Sequence, residues 1–405
     1  MAIALDGVLG LIGEDQAVAS PGSNAEPCIA MTRLVGGVSD VGPALQACLD
    51  ATPANGKVAL PPGRYLIATP IHLRLPITLT TLGLSPVSAP CSADERRCAQ
   101  LHLAIAPAVI ASAIMPFDIA SDYVRLDHLV FQGTRLTDPG LSAKRCASDK
   151  ERPMAGGLRV SGTGIVIHRS VFRDMACYTA LEFGHGAATV ISGNDFVGNG
   201  THTAKLRWAD GLTIHDAKGL RVLSNRFRDN TDIQLVLGGC TGCTVADNRF
   251  GHSDAAGGGS FGEIMLQAWP KATSGNFTGT RVVRNKIDCG PQRRCGFGIM
   301  IGSTPWYDAP AFGGIVAGNR VAHAMLALNV DRLTGPMAID HNQFIASPGT
   351  YPSTCGPRRV DVAVNVSPDS RPFLSSAMPA SAISYRGCIL NYAIVPEGAN
   401  APTSN

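Results

Sequence analysis

The sequence has no apolar run able to cross a bilayer. Its longest such stretch, residues 101–117, is interrupted by His102, Pro107 and Pro116, so no membrane span is expected. Dense Lys/Arg runs and aromatic-basic platforms are also missing, and the formal net charge is only +3. Nucleic acid is therefore not an expected partner, although a mildly basic chain is compatible with an acidic polymer. Charged residues are scarce, at 16%, against 45% hydrophobic ones, which excludes bulk disorder. The opening MAIALDGVLGLIGEDQ lacks the basic start of a signal peptide, which fits a chain whose signal has been removed.

What is abundant is turn chemistry. Forty-five glycines and 27 prolines with few aromatics suit a turn-rich β protein better than a helical one. A length of 405 residues alone suggests two or three domains, but a solenoid grows without separate cores, so one long domain is allowed. Twelve cysteines are spread along the chain. Only Cys240 and Cys243 have the spacing of a zinc pair, and a lone pair does not make a zinc site. Disulfides are expected instead: Cys91–Cys98, Cys240–Cys243 and Cys289–Cys295 in short loops, with Cys28–Cys48, Cys146–Cys177 and Cys355–Cys388. They place the chain outside the cytosol, secreted or periplasmic.

Between about residues 160 and 346 one pattern recurs: a segment carrying Asn-x-Phe or a relative, a polar turn, then a second apolar strand. The asparagines are Asn194, Asn225, Asn248, Asn285, Asn319 and Asn342, at spacings of 31, 23, 37, 34 and 23 residues, with Ser170 in the same slot earlier. Strand-only repeats of this length predict an all-β, right-handed parallel β-helix. The asparagines are expected to stack as a hydrogen-bonded ladder at one corner. The second strands read TALEF, DGLTIH, DIQLVL, EIMLQ, FGIMI and MLALNV. Alternation is expected to send Leu212, Ile214, Ile233, Leu235, Leu237, Ile264 and Leu266 inward, and Asp232, Gln234, Glu263, Met265 and Gln267 outward.

The segment DVGPALQACLDATPANGKVALPPGRYLIATPIHL (40–73) resembles the N-terminal cap of β-helices of the pectate-lyase and polygalacturonase type. The resemblance implies an amphipathic helix covering the open end of the coil, followed by the first rung. The expected organisation is an N-terminal extension (1–39), a capped β-helix (40–346) and an irregular C-terminal segment packed on the helix end (347–405).

Asp210, Asp232 and Glu263 begin three consecutive second strands. Carboxylates on neighbouring rungs are what acid/base sugar chemistry uses: one holds a proton for the leaving oxygen while another activates water or attacks carbon. All three tryptophans, Trp208, Trp269 and Trp306, lie beside this column, and flat aromatic faces are natural platforms for sugar rings. Polygalacturonases carry Asn-Thr-Asp, Asp-Asp and Gly-His-Gly motifs on successive coils, and Ala209-Asp210-Gly211, Thr231-Asp232 and Gly251-His252-Ser253 are similar. That resemblance implies acid/base roles for Asp210 and Asp232 with His252 positioning them; Thr231 stands where the family has a second acid. Gln234, Gln267 and Arg249 are further candidates for substrate contact. Arg249 belongs to an outward basic column with Arg226, Lys286 and Arg320, suited to carboxylates of an acidic polymer.

These features lead to a polysaccharide- or oligosaccharide-cleaving glycoside hydrolase or transferase with Asp210, Asp232 and Glu263 as catalytic residues, and with no metal and no cofactor. A rival reading is a polysaccharide lyase that binds Ca²⁺ through the carboxylates and removes the C5 proton of a uronate with Lys271, Arg249 or His252. A third is a non-catalytic carbohydrate-binding rod, of a kind that can assemble as a homotrimer.

Overall fold

The computed structural model describes residues 36–105, 115–146, 156–202, 207–253, 259–302, 306, 308–375 and 384–391. Cys28, and with it the expected Cys28–Cys48 pair, lies outside them, as do Tyr307 and most of the N-terminal extension.

Short β-branched and aromatic runs separated by glycine or by left-handed single residues give strands of two to ten residues. These strands assemble into three ten-stranded sheets, each fully parallel. Every coil visits the first, second and third sheet in turn, so neighbours in a sheet are one coil apart. This is the parallel β-helix expected from the repeat. The helix Gly42–Ala51 covers the first coils, burying Leu45, Cys48 and Leu49. Such a cap shields backbone groups and apolar side chains that an open coil end would expose.

Two devices lock the register. Between the first and second sheets, the asparagine ladder runs from Asn194 to Asn342. In each rung a side-chain oxygen accepts the backbone N–H and the side-chain amide of the preceding asparagine, as Asn225 Oδ1 does from Asn194 at 3.0 Å for both. The amide also donates to a core-strand carbonyl, Asn225 to Ile191 O at 2.9 Å. Turn groups that would otherwise be buried without partners are satisfied in this way. Behind the ladder, the phenylalanine two residues on points inward. Phe131, Phe172, Phe196, Phe227 and Phe250 stack with centroids 4.8–5.2 Å apart, the coil spacing itself.

Five disulfides close as expected: Cys91–Cys98, Cys146–Cys177, Cys240–Cys243, Cys289–Cys295 and Cys355–Cys388.

The C-terminal part departs from expectation. The repeat does not stop at residue 346, because Val364–Val366 adds a tenth strand to the third sheet beside Leu326–Asp331. Residues 371–375 do lie at the helix end, where Leu374 bridges to Met337 and Phe373 packs against the core, but other described parts of the segment do not. The hairpin Gly349–Tyr351/Arg358–Val360 and residues 384–391 lie on the outer face of the third sheet. There Tyr351, Val360, Tyr385, Ile389 and Leu390 form an apolar cluster with Ile233, Val236, Phe261, Met265, Phe297 and Met300. Outward methionines and aromatics on that face required a cover, and this segment supplies it.

Candidate active site

The outer face of the third sheet is divided. One outward row reads, coil by coil, His72, Asp118, Arg159, Glu182, Thr213, Val236, Met265, Met300, Asn329 and Asn365. Its early coils are polar; its middle coils are apolar and lie under the C-terminal segment. The expected catalytic column begins at the boundary and does not stay on the surface.

Glu263 does not face outward. Its side chain is fully buried, and Oε1 lies 2.8 Å from Nε2 of His252, which is equally buried. The Ser260 hydroxyl donates to the same oxygen. On the other side of the imidazole, Nδ1 lies 3.6 Å from Oδ1 of Asp229. Burial alone would lower the His252 pKa, but the charges of Glu263 and Asp229 and their hydrogen bonds override it and push it up to about 9. This is an interior ion cluster. Gln234 likewise turns inward, accepting from the Asn230 side chain. Ile233, expected inside, belongs instead to the outer apolar cluster.

One cause explains all three corrections. The first residues of these strands still belong to the corner after the second sheet, so two consecutive positions point inward, Gln234 with Leu235 and Glu263 with Ile264. The two-residue alternation starts only afterwards. Gly211 occupies the equivalent place one coil earlier, where a Cβ would meet Asn230 and Phe227.

Asp210 and Asp232 are nearly buried, at 5% and 3% exposure. Asp210 accepts the Ile233 N–H at 3.1 Å and the Thr213 hydroxyl at 2.8 Å. Asp232 contributes to the environment of His202, whose pKa is lowered by burial despite that charge. Trp208 packs edge-on against Phe261 at 5.4 Å, at the rim of the covered cluster. Gln267 is buried, and its amide has no partner among the described residues. Trp306 is 39% exposed. Arg249 is on a different face, on the second sheet.

The polar half of the outer face carries a cluster absent from the expected list. Glu182 is 1% exposed, and its Oε1 lies 2.8 Å from Nε2 of His215, one coil further on. The Tyr178 hydroxyl donates to the same oxygen at 3.1 Å, and Arg159 Nε lies 3.7 Å from Oε2. His215 and Arg159 keep 27% and 39% of their side chains exposed. The His215 ring stacks on Trp269, with centroids 5.1 Å apart and planes 28° from parallel.

The Trp269 turn folds back over two coils to reach that position. The Trp269 ring lies over Gly238, where a Cβ would approach it to 2.3 Å. Ser274, at the far end of the turn, donates its hydroxyl at 2.6 Å to Asp216, the neighbour of His215. The signal for this cluster was present in the strands TALEF and DGLTIH. With Leu181, Phe183, Leu212 and Ile214 inward, Glu182 and His215 must face out.

Among the described residues one group has metal-ligating types close together, Glu263 with Cys289 and Cys295. The two sulfurs are joined to each other, so no thiolates are available for a metal.

No protein-family model matches the chain, and no curated protein matches it in sequence. Solved structures do share the fold. An alginate lyase from Paenibacillus sp. str. FPU-7 is similar with a TM-score of 0.50 at 11% identity, over 76% of this chain and 94% of that one. Pectate lyase Pel9A gives 0.46 at 15% identity, over 74% and 71%. PfbA, a surface adhesin of Streptococcus pneumoniae, gives 0.42 at 11% identity, over 82% and 93%.

Proposed function

We propose that this chain is an extracellular enzyme that cleaves a polysaccharide on the outer face of the third sheet, with Glu182, His215 and Tyr178 as its acid/base centre. The observation that carries the reading is a solvent-reachable imidazole held by a buried carboxylate beside a stacked tryptophan. Glu182 takes the Nε2 proton of His215 as a hydrogen bond, which leaves Nδ1 as the basic nitrogen. Trp269 offers an apolar wall for a sugar ring. The disulfides fit an oxidising compartment.

The centre suits β-elimination on a uronate polymer. Arg159 neutralises the substrate carboxylate and so acidifies the proton at C5. His215 Nδ1 removes that proton, the electron pair forms the C4–C5 double bond, and the C4–O bond breaks. The Tyr178 hydroxyl gives its proton to the departing oxygen. No metal is needed for this sequence. A fold shared with an alginate lyase agrees with that substrate class.

Hydrolysis is the second reading, and a specific contact favours it. Thr213 is the Cα partner of Glu182 in the next coil and donates to Asp210, so a second carboxylate joins the surroundings of this centre through Thr213.

The test is incubation with uronate and neutral polysaccharides, with and without chelator, following reducing ends and the ultraviolet absorbance of an unsaturated uronate end together. β-Elimination gives both signals, unaffected by chelator and abolished in His215→Ala. Reducing ends without absorbance, lost in Asp210→Asn and Glu182→Gln, would replace it with hydrolysis. Cleavage that persists in His215→Ala and Glu182→Gln would overturn this site.

A further inference from the structure

We propose that the second sheet carries a separate binding surface for a linear anionic polysaccharide, built from Arg226, Arg249, Lys286 and Arg320. The four are direct partners on consecutive coils, Arg226 with Arg249, Arg249 with Lys286 and Lys286 with Arg320. All four are exposed. Coil spacing places their Cα atoms about 4.8 Å apart, in one straight row.

Folding gives no reason for such a row, since like charges directly opposite on neighbouring strands repel. Partners exist only at its ends: Arg226 is held by Asp195 and Arg320 by Gln343. The two middle cations, Arg249 and Lys286, have no side-chain partner among the described residues. The acids nearby are committed elsewhere, Asp247 to Arg284 and Asp288 to His323. Around the asparagine corner, on the first sheet, Arg221 and Arg281 are exposed too and have no side-chain partner among the described residues.

Point charges repeated at constant spacing match a polymer whose anions recur along its length, rather than a compact ligand. Arginine adds a planar fork that meets a carboxylate or sulfate with two hydrogen bonds. The outward positions of these strands, 226, 228, 249, 251, 286, 288, 320 and 322, hold no Phe, Tyr or Trp. Bases of a single-stranded nucleic acid would have nothing to stack on. The polysaccharide is therefore the better match. The surface lies on a different sheet from Glu182 and His215, and its binding does not depend on their chemistry.

The test is binding of the full chain to polygalacturonate, with dextran and duplex DNA as comparison probes. The wild-type chain is expected to bind polygalacturonate, more weakly as salt rises, and not dextran. Arg249→Glu with Lys286→Glu should weaken binding about tenfold or more, while Arg249→Lys with Lys286→Arg retains it. Arg249→Gln with Lys286→Gln serves if charge reversal disturbs folding. Equal binding by the charge-reversed or neutralised chain, or no binding by wild type, would overturn the proposal. Tighter binding to duplex DNA than to polygalacturonate would assign the surface to nucleic acid instead.

Discussion

Nε2 of His215 lies 2.8 Å from Oε1 of Glu182 although the two residues belong to different coils, 33 positions apart. The contact exists because parallel stacking sets Glu182 against Thr213, and His215 stands two residues further along the same outward row of positions. Its first consequence is kinetic. His215→Ala is expected to lower the turnover rate by about 10²–10⁴-fold, the usual range for a lost general base. Glu182 keeps Tyr178 and Arg159 as partners, so the variant should still fold, and rates are compared per folded molecule. A rate loss matched by an equal loss of folded protein would remove His215 from the chemistry.

Glu263→Gln separates the interior cluster from the surface centre. Breaking a buried, hydrogen-bonded ion pair costs about 3–5 kcal/mol when one partner is removed. The variant should therefore unfold at lower denaturant concentration, yet cleave normally per folded molecule. Urea titration alongside an activity assay at low temperature gives both numbers. Full stability with abolished activity would restore Glu263 to a catalytic role.

The same cluster predicts how stability depends on pH. His252 has its folded-state pKa raised from 6.5 to about 9 by Glu263 and Asp229. Its protonated form thus stabilises the fold. That contribution is complete below about pH 6.5 and is lost as pH rises through about 9. Denaturation midpoints measured across this window should fall, and the fall should be much smaller in His252→Gln, a less stable chain at the outset. A midpoint that rises between these values would contradict the assignment.

The asparagine ladder makes a sharper structural prediction. Asn248 Oδ1 accepts the backbone N–H of Asn225 at 2.9 Å and its side-chain amide at 3.1 Å, while its own amide donates to Val222 O at 3.0 Å. Asn248→Ala leaves these groups buried without partners, each worth about 1–3 kcal/mol. Serine, as found at position 170, should recover part of the loss. Calorimetric melting of the two variants decides it.

Removing the Cys355–Cys388 bridge should loosen the segment that covers Met265 and Met300. Cys355→Ser with Cys388→Ser is expected to bind a hydrophobic dye, lose about 2–5 kcal/mol and become sensitive to proteolysis within residues 349–360 and 384–391. An unchanged digestion pattern would mean that apolar packing alone holds the segment.

The coil was legible in the sequence because asparagine recurs at one corner of six successive coils, often with phenylalanine two residues on, and only loop lengths vary between them. The sheets followed from that periodicity, five disulfides from cysteine placement, and the cap from the resemblance carried by residues 40–73. Two things were not legible. Alternation along DIQLVL and EIMLQ starts after the corner, so Gln234 and Glu263 point inward, and no local pattern marks where a corner ends. The cover over Met265 and Met300 comes from residues 349–360 and 384–391, at least 49 positions later, without any repeat to announce it. Glu182 and His215 sat in recognised strands, but neither begins its strand, whereas Asp210 lies at the turn-to-strand junction where acids draw the eye.

The Trp269 turn crosses back over two coils and is tied down at Asp216, while the rungs beneath keep their own hydrogen bonds. Rungs and turn can therefore diverge at different speeds. Descendants of this chain could exchange the 269–274 turn for longer or shorter versions, changing which sugar meets the imidazole, and still inherit the same coil.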